Sequence, residues 1–192
     1  QLLDARSWSV QALRIADIGC GKGYWLRTFL DWGVRPQFAY GIDVDPDRLR
    51  VAQGQAGGVG LMRADCRALP FADASVDIAS QFTLFTSLLQ PDARESAAKE
   101  MMRIVRPGGL IVWYDFFAPN PMNPRTRPVG REELARLFPG CAMHVERITF
   151  AAPVARIIAR VSPRAATIAN QSDLLATHYL ALISKSKEEG HA

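Results

Sequence analysis

The chain has 192 residues, 48% of them hydrophobic and 22% charged, which fits one packed domain and excludes disorder, a collagen-like repeat or a coiled coil as a description of the whole. The net charge of +4 is uneven: residues 1–115 carry 13 basic against 13 acidic side chains, and residues 116–192 carry 10 against 6. Eight of those ten are arginines scattered from Arg125 to Arg164, a pattern that suits an anionic small molecule and argues against a nucleic-acid partner. Three cysteines, Cys20, Cys66 and Cys141, are far apart and odd in number, so neither a disulfide framework nor a CxxC metal spacing is present. No 18-residue apolar run occurs, and QLLDARSW carries charge where a signal peptide is apolar; with the cysteine usage this points to the cytoplasm and to no membrane span. The chain opens at Gln1 rather than Met, which leads one to expect a trimmed leading segment.

Short β-like runs alternate with longer helix-like stretches, the pattern of βαβ units and a mostly parallel sheet. Strands are expected near 13–18, 38–43, 59–63, 75–80 and 109–115, with helices over 24–32, 46–54 and 91–105 between them. The third helix opens on Pro91 with Asp92 and Glu95 and closes on Arg103 and Arg106 before Pro107-Gly108-Gly109, which is full start and stop punctuation. A Pro- and Asn-rich loop, FFAPNPMNPRTRPVG, precedes a short helix at 131–138 and a strand at 142–150. The last strand is expected at 178–184, and residues 151–177 before it are too long for a hairpin and read as an insertion.

The strongest chemical signal is Asp17-Ile18-Gly19-Cys20-Gly21-Lys22-Gly23-Tyr24, a strand running into a glycine-rich turn and then a helix. Such a turn brings backbone NH groups close to a ligand, although glycine turns also serve merely to connect. The spacing is GxGxG, and Tyr24 stands where a dinucleotide fold needs a third small residue, which argues against NAD or FAD. Asp43, at the end of the second strand, can accept both hydroxyl hydrogens of a ribose; the alternative is a helix N-terminal acid beside Asp45 and Asp47. After the third strand, Asp65 and the Cys66 backbone NH match the donor and acceptor edges of adenine.

These segments resemble the class I S-adenosylmethionine-dependent methyltransferases, of the group that includes the ubiquinone and menaquinone biosynthesis enzymes and many small-molecule methyltransferases. The resemblance covers about residues 10–115 and rests on IADIGCGKGYW, GIDVD, ADCRALPFADASVDIASQ and EMMRIVRPGGLIVWYDF. It implies a Rossmann-like three-layer α/β sandwich with a seven-stranded sheet, six strands parallel and the last antiparallel. It also implies S-adenosylmethionine as cofactor, lined by Gly19, Cys20, Gly21 and Gly23, with Asp17 supporting its amino-acid end. Asp43 and Val44 would meet the ribose side, Asp65 and Cys66 the adenine, and Gln81 and Phe82 the methionine portion. Two departures stand out: Lys22 fills a turn position where the family has a small residue, and Ser80-Gln81-Phe82-Thr83 replaces the motif of base N-methylation. Asn120-Pro121-Met122-Asn123-Pro124 follows strand five instead and reads as a proline-held loop.

The expected organisation is a single domain over 1–192, with a cofactor-binding core at 10–115 and a substrate-side portion at 116–192. Methyl transfer asks the protein chiefly for placement, and His144, His178 and His191 are too dispersed for metal spacing. His178, at the start of an antiparallel last strand, is expected on the cofactor edge, either as a general base or as a histidine that only hydrogen-bonds the lid or backbone, and His144 on the opposite edge as a structural residue. Trp25, Phe82, Phe85 and Tyr114 could shape an apolar pocket or simply pack. Val154, Ile157, Ile158 and Val161 follow helical spacing and suggest an amphipathic helix, either a lid over an apolar or anionic small-molecule acceptor or a helix that packs on the sheet or on a second subunit. The alternatives are a catalytically silent cofactor-binding subunit and an NAD-linked oxidoreductase.

Overall fold

The structure, a computed structural model, describes residues 8–119, 123–150 and 176–185. Its strands are β1 (Ile15–Ile18), β2 (Ala39–Asp43), β3 (Gly60–Arg63), β4 (Val76–Phe82), β5 (Val105–Phe116), β6 (Ala142–Phe150) and β7 (Ala176–Ser184). Its helices are α1 (Tyr24–Asp31), α2 (Pro46–Gln55), α3 (Pro91–Ile104) and α4 (Arg131–Leu137). The strands form one sheet in the order β3-β2-β1-β4-β5-β7-β6. β7 runs antiparallel to both of its neighbours while the other pairings are parallel, so six strands share one direction and the last opposes them, as expected.

Local chemistry explains the elements. IADI of β1 is buried on both faces, as a central parallel strand must be. α2 starts where the Asp45 side chain accepts from the Asp47 and Arg48 NH groups, with Pro46 in the first turn. α3 carries Pro91 and Asp92 in its first turn and Arg103 in its last. Its exit departs from the expected punctuation. The sequence puts a break at Pro107-Gly108-Gly109, yet β5 already begins at Val105 and holds that tripeptide inside the strand. A register shift between Val76 and Ile78 absorbs it, and Lys185 donates to the Met102 and Val105 carbonyls at 2.9 and 2.8 Å where the helix ends. A β-carbon at Gly109 would lie 2.5 Å from Val105 and 2.8 Å from the Asp77 carbonyl oxygen, so glycine alone fits this bulge.

Two cores lie on opposite faces of the sheet. On one, Ala16, Ile18, Ile111 and Trp113 pack against Met101 and Ile104 of α3 and Leu134 of α4. On the other, Ile15, Ile78 and Leu110 pack against Phe29 of α1, while Leu26 meets Ala56 beyond α2. Three layers result, and each fully buried Leu, Ile or Phe contributes roughly 1.5–3 kcal/mol of hydrophobic stabilisation. The amphipathic segment expected at Val154, Ile157, Ile158 and Val161 lies outside the described residues, as does His191.

Candidate active site

The carboxyl ends of the parallel strands carry the chemistry, where an open α/β sheet binds ligands. The loop leaving β1 turns through Gly19, Gly21 and Gly23, with φ of 74°, 53° and 83°, a conformation glycine adopts without strain. The Gly19 and Cys20 NH groups donate to the Ile42 carbonyl at 2.7 and 2.9 Å, tying the loop to β2. Asp43 then accepts from the Gly21 NH at 2.8 Å and from the Asp45 NH at 2.9 Å. Asp45, not Asp43, caps α2. Asp43 therefore braces both the glycine loop and the entry to α2, and each carboxylate oxygen keeps a second lone pair for a ligand.

A cavity of about 620 Å3 opens beside this loop. Of the residues expected at the cofactor, Gly19, Asp43, Val44, Asp65, Cys66 and Phe82 line it. Val44 and Leu89 stand 58% and 52% exposed on its rim, apolar surface that a flat ring could cover. Asp65 is gripped by Arg67, whose backbone NH and Nε donate to one oxygen at 2.9 and 3.0 Å and whose Nη2 donates to the other at 2.7 Å. Those hydrogen bonds hold the Asp65 carboxyl down to about 2. Burial first, and the Asp65 charge second, push the Cys66 thiol up to about 11.

The remaining expected residues stand behind the wall. Asp17 is buried and accepts from the Ser80 hydroxyl at 2.8 Å. Burial raises its carboxyl to about 7 against the lowering effect of Ser80, with a further push from Asp43. Burial, then the charges of Asp17 and Asp43, also raise the Cys20 thiol, so it stays protonated and is no nucleophile. A β-carbon on Gly23 would come within 2.9 Å of Ala52, which makes Gly23 the contact that lets α1 approach α2. Gln81 braces the next turn, accepting from the Leu84 NH at 2.9 Å. Lys22 is exposed, consistent with a side chain directed to solvent.

The steric argument from Tyr24 does not hold. Its ring is 69% exposed and is not part of the cavity wall, because the left-handed Gly23 at the helix start turns the first side chain of α1 outward.

His178 sits opposite Phe116 at the carboxyl end of β5, on the edge expected for it. It is buried outside the cofactor cavity wall, with Nδ1 2.9 Å from the Thr177 hydroxyl and its ring stacked on Tyr114 at 4.6 Å. His144 lies near the start of β6, exposed and 2.7 Å from Glu146. Trp25 stacks on Phe82 at 3.9 Å, and Phe82 meets Tyr114 at 6.2 Å. A second cavity of about 600 Å3, with Phe29, Val112, Tyr114 and Leu180 in its walls, shares Phe82 with the first. Among the described residues no three His, Cys, Asp or Glu side chains are grouped to hold a metal, and no helix is long and apolar enough to cross a membrane.

Sequence reasoning missed Arg67, the turn from Thr83 to Leu88 and Asp115. Arg67 could have been found from its place two residues after an acid that ends a strand loop. The SQFTLFTS turn carries no recognisable spacing.

Comparisons with known proteins agree with this geometry. Residues 15–109 match the family described as a methyltransferase domain. An uncharacterised methyltransferase of Mycobacterium marinum is 38% identical over 112 residues, 57% of this chain and 42% of that protein. The chain thus spans less than half the length of that relative. A SAM-dependent methyltransferase from Archaeoglobus fulgidus shares the fold with a TM-score of 0.70 at 16% identity, over 96% of this chain and 91% of that one. A methyltransferase from Haloferax volcanii, solved with a methyltransferase activator, gives a TM-score of 0.71 at 19% identity, over 92% and 84% of the two chains. Residues 15–109 thus match a methyltransferase domain, and the strand order and glycine loop around them are those of the S-adenosylmethionine-dependent methyltransferase fold.

Proposed function

We propose that the protein transfers the methyl group of S-adenosylmethionine to a small-molecule acceptor and releases S-adenosylhomocysteine. The observation that carries this reading is the cavity in which Gly19, Asp43 and Asp65 meet at three successive strand ends. Its volume of about 620 Å3 lies within the ~300–1,000 Å3 of ligand sites. The residues fit the cofactor: Asp43 keeps lone pairs for ribose hydroxyls, Asp65 and the Cys66 NH offer an acceptor and a donor to adenine, and Val44 and Leu89 provide apolar cover. Asp17, Cys20, Gly21, Gly23 and Gln81 support the loop and turn that shape this wall.

Bound there, S-adenosylmethionine supplies an activated sulfonium methyl for in-line displacement. The chain must align the acceptor and keep water away, a contribution that can reach about 7–11 kcal/mol. Phe82 faces both cavities, so we read the second, apolar cavity as the acceptor side and Trp25, Phe82 and Tyr114 as the surfaces that exclude water. In this reading the aromatic surfaces would hold the acceptor nucleophile in line with the sulfonium methyl, and His178, stacked on Tyr114, would take the acceptor's proton. Residues 10–115 then hold the cofactor and supply much of the acceptor wall, which 116–192 complete with Ile148, Leu180 and Leu182.

A thermal-shift panel tests the cofactor assignment. Saturation at about a hundredfold over the dissociation constant adds ~2.7 kcal/mol; S-adenosylmethionine and S-adenosylhomocysteine should stabilise the protein, and NADH and ATP should not. The Haloferax neighbour's complex with an activator favours a second reading, in which turnover needs a partner chain. Release of S-adenosylhomocysteine from the isolated protein with any acceptor would reject it.

A further inference from the structure

The turn after β4 is the strained part of the cofactor cavity. Thr83, a β-branched residue in the cavity wall, has a φ of 61°. Side chains of this type avoid that conformation, and it persists only where the surroundings hold it. The Thr83 NH donates to the Tyr114 carbonyl at 2.8 Å. One turn further, Asp115 at the end of β5 accepts from the Thr86 NH at 3.1 Å and from the Thr86 hydroxyl at 2.7 Å. Asp115 is wholly buried and also accepts from the Phe116 NH at 2.9 Å. From the other side the buried Arg94 donates to the Phe85 and Leu88 carbonyls at 3.0 and 2.8 Å and pairs with Glu133 at 2.7 Å.

A buried carboxylate is costly unless hydrogen bonds or an opposite charge compensate it. The donors to Asp115 given above come from Thr86 and from its own strand neighbour. We infer that Asp115 is a positioning residue for the cofactor: through Thr86 it holds the strained Thr83 turn in the shape that closes the cavity wall. The inference rests on the reading of that cavity as the S-adenosylmethionine site. An ionised carboxylate is suited to this place because it only accepts, whereas an amide would turn N–H groups toward the Thr86 donors.

The test is calorimetric binding of S-adenosylhomocysteine to four folded single variants and one double variant. Asp115→Asn should weaken affinity roughly tenfold and Thr86→Val roughly fivefold, while Thr86→Ser, which keeps the hydroxyl, should stay within about twofold. Thr83→Gly removes the strain, so Asp115→Asn in that background should cost less than about threefold. Equal losses in both backgrounds, or unchanged affinity in Thr86→Val, would overturn the inference. If Asp115→Asn does not fold, the Thr86 pair decides alone. Absence of S-adenosylhomocysteine binding by the unaltered protein would instead remove the cofactor reading on which the inference stands.

Discussion

In the proposed reading, the Asp43 side chain serves fold and ligand together. Its oxygens hold the Gly21 and Asp45 NH groups, so removing it should loosen the glycine loop as well as the ribose contact. Losing a charged hydrogen-bond partner costs about 1.5–3 kcal/mol. Asp43→Ala should therefore weaken S-adenosylhomocysteine binding by one to two orders of magnitude and also lower the melting temperature, read by calorimetry and by thermal melts. Asp17 carries a pH signature. Burial lifts its carboxyl to about 7 in the folded protein from its ordinary value of 3.8, so the folded state binds the extra proton between those values. That contribution is complete below the unfolded value and is lost as pH rises through about 7. The melting temperature should fall from pH 5 to 8, and Asp17→Asn should flatten that fall; an identical slope in the variant would show that Asp17 is not the titrating group. Asp17 and Asp43 were legible in the sequence because each ends a buried strand just before a turn. Asp115 and Arg94 were not. Asp115 meets Thr86 across 29 residues, and Arg94 sits on a helix whose other charges read as solvated, so neither leaves a local pattern.

At the scale of elements, the alternation of apolar runs located every strand and helix described, and 142–150 emerged with the boundaries expected of it. The boundary that moved furthest was the start of β5, expected at 109 and found at Val105. Pro107-Gly108-Gly109 reads as a break in any local window, but the pairing of Val76 with Val105 and of Ile78 with Leu110 makes it a bulge within the strand. Gly109→Ala would drive a methyl toward the Asp77 and Arg106 carbonyl oxygens, each 2.8 Å away. Overpacking against backbone that cannot yield costs about 1–3 kcal/mol. The variant should lose that much stability in chemical denaturation, and a loss below ~0.5 kcal/mol would mean the bulge relaxes around the new methyl.

For the whole molecule, the parallel sheet followed from the βαβ alternation, and the antiparallel last strand followed from the family resemblance that the four motifs carried. The lining of the first cavity was legible through the motifs, but its junction with the second was not, because that depends on how Phe82 of β4 packs between α1 and β5. Nor does any residue pattern name the acceptor. The central claim, that the strand ends carrying Gly19, Asp43 and Asp65 bind S-adenosylmethionine, is tested most directly by a calorimetric titration with S-adenosylhomocysteine. The account predicts saturable binding of one ligand per chain, weakened about tenfold or more in Asp65→Asn, whose carboxylate is assigned to the adenine amine. No saturable binding to the folded protein, or affinity unchanged from the unaltered protein in both Asp65→Asn and Asp43→Ala, would contradict it.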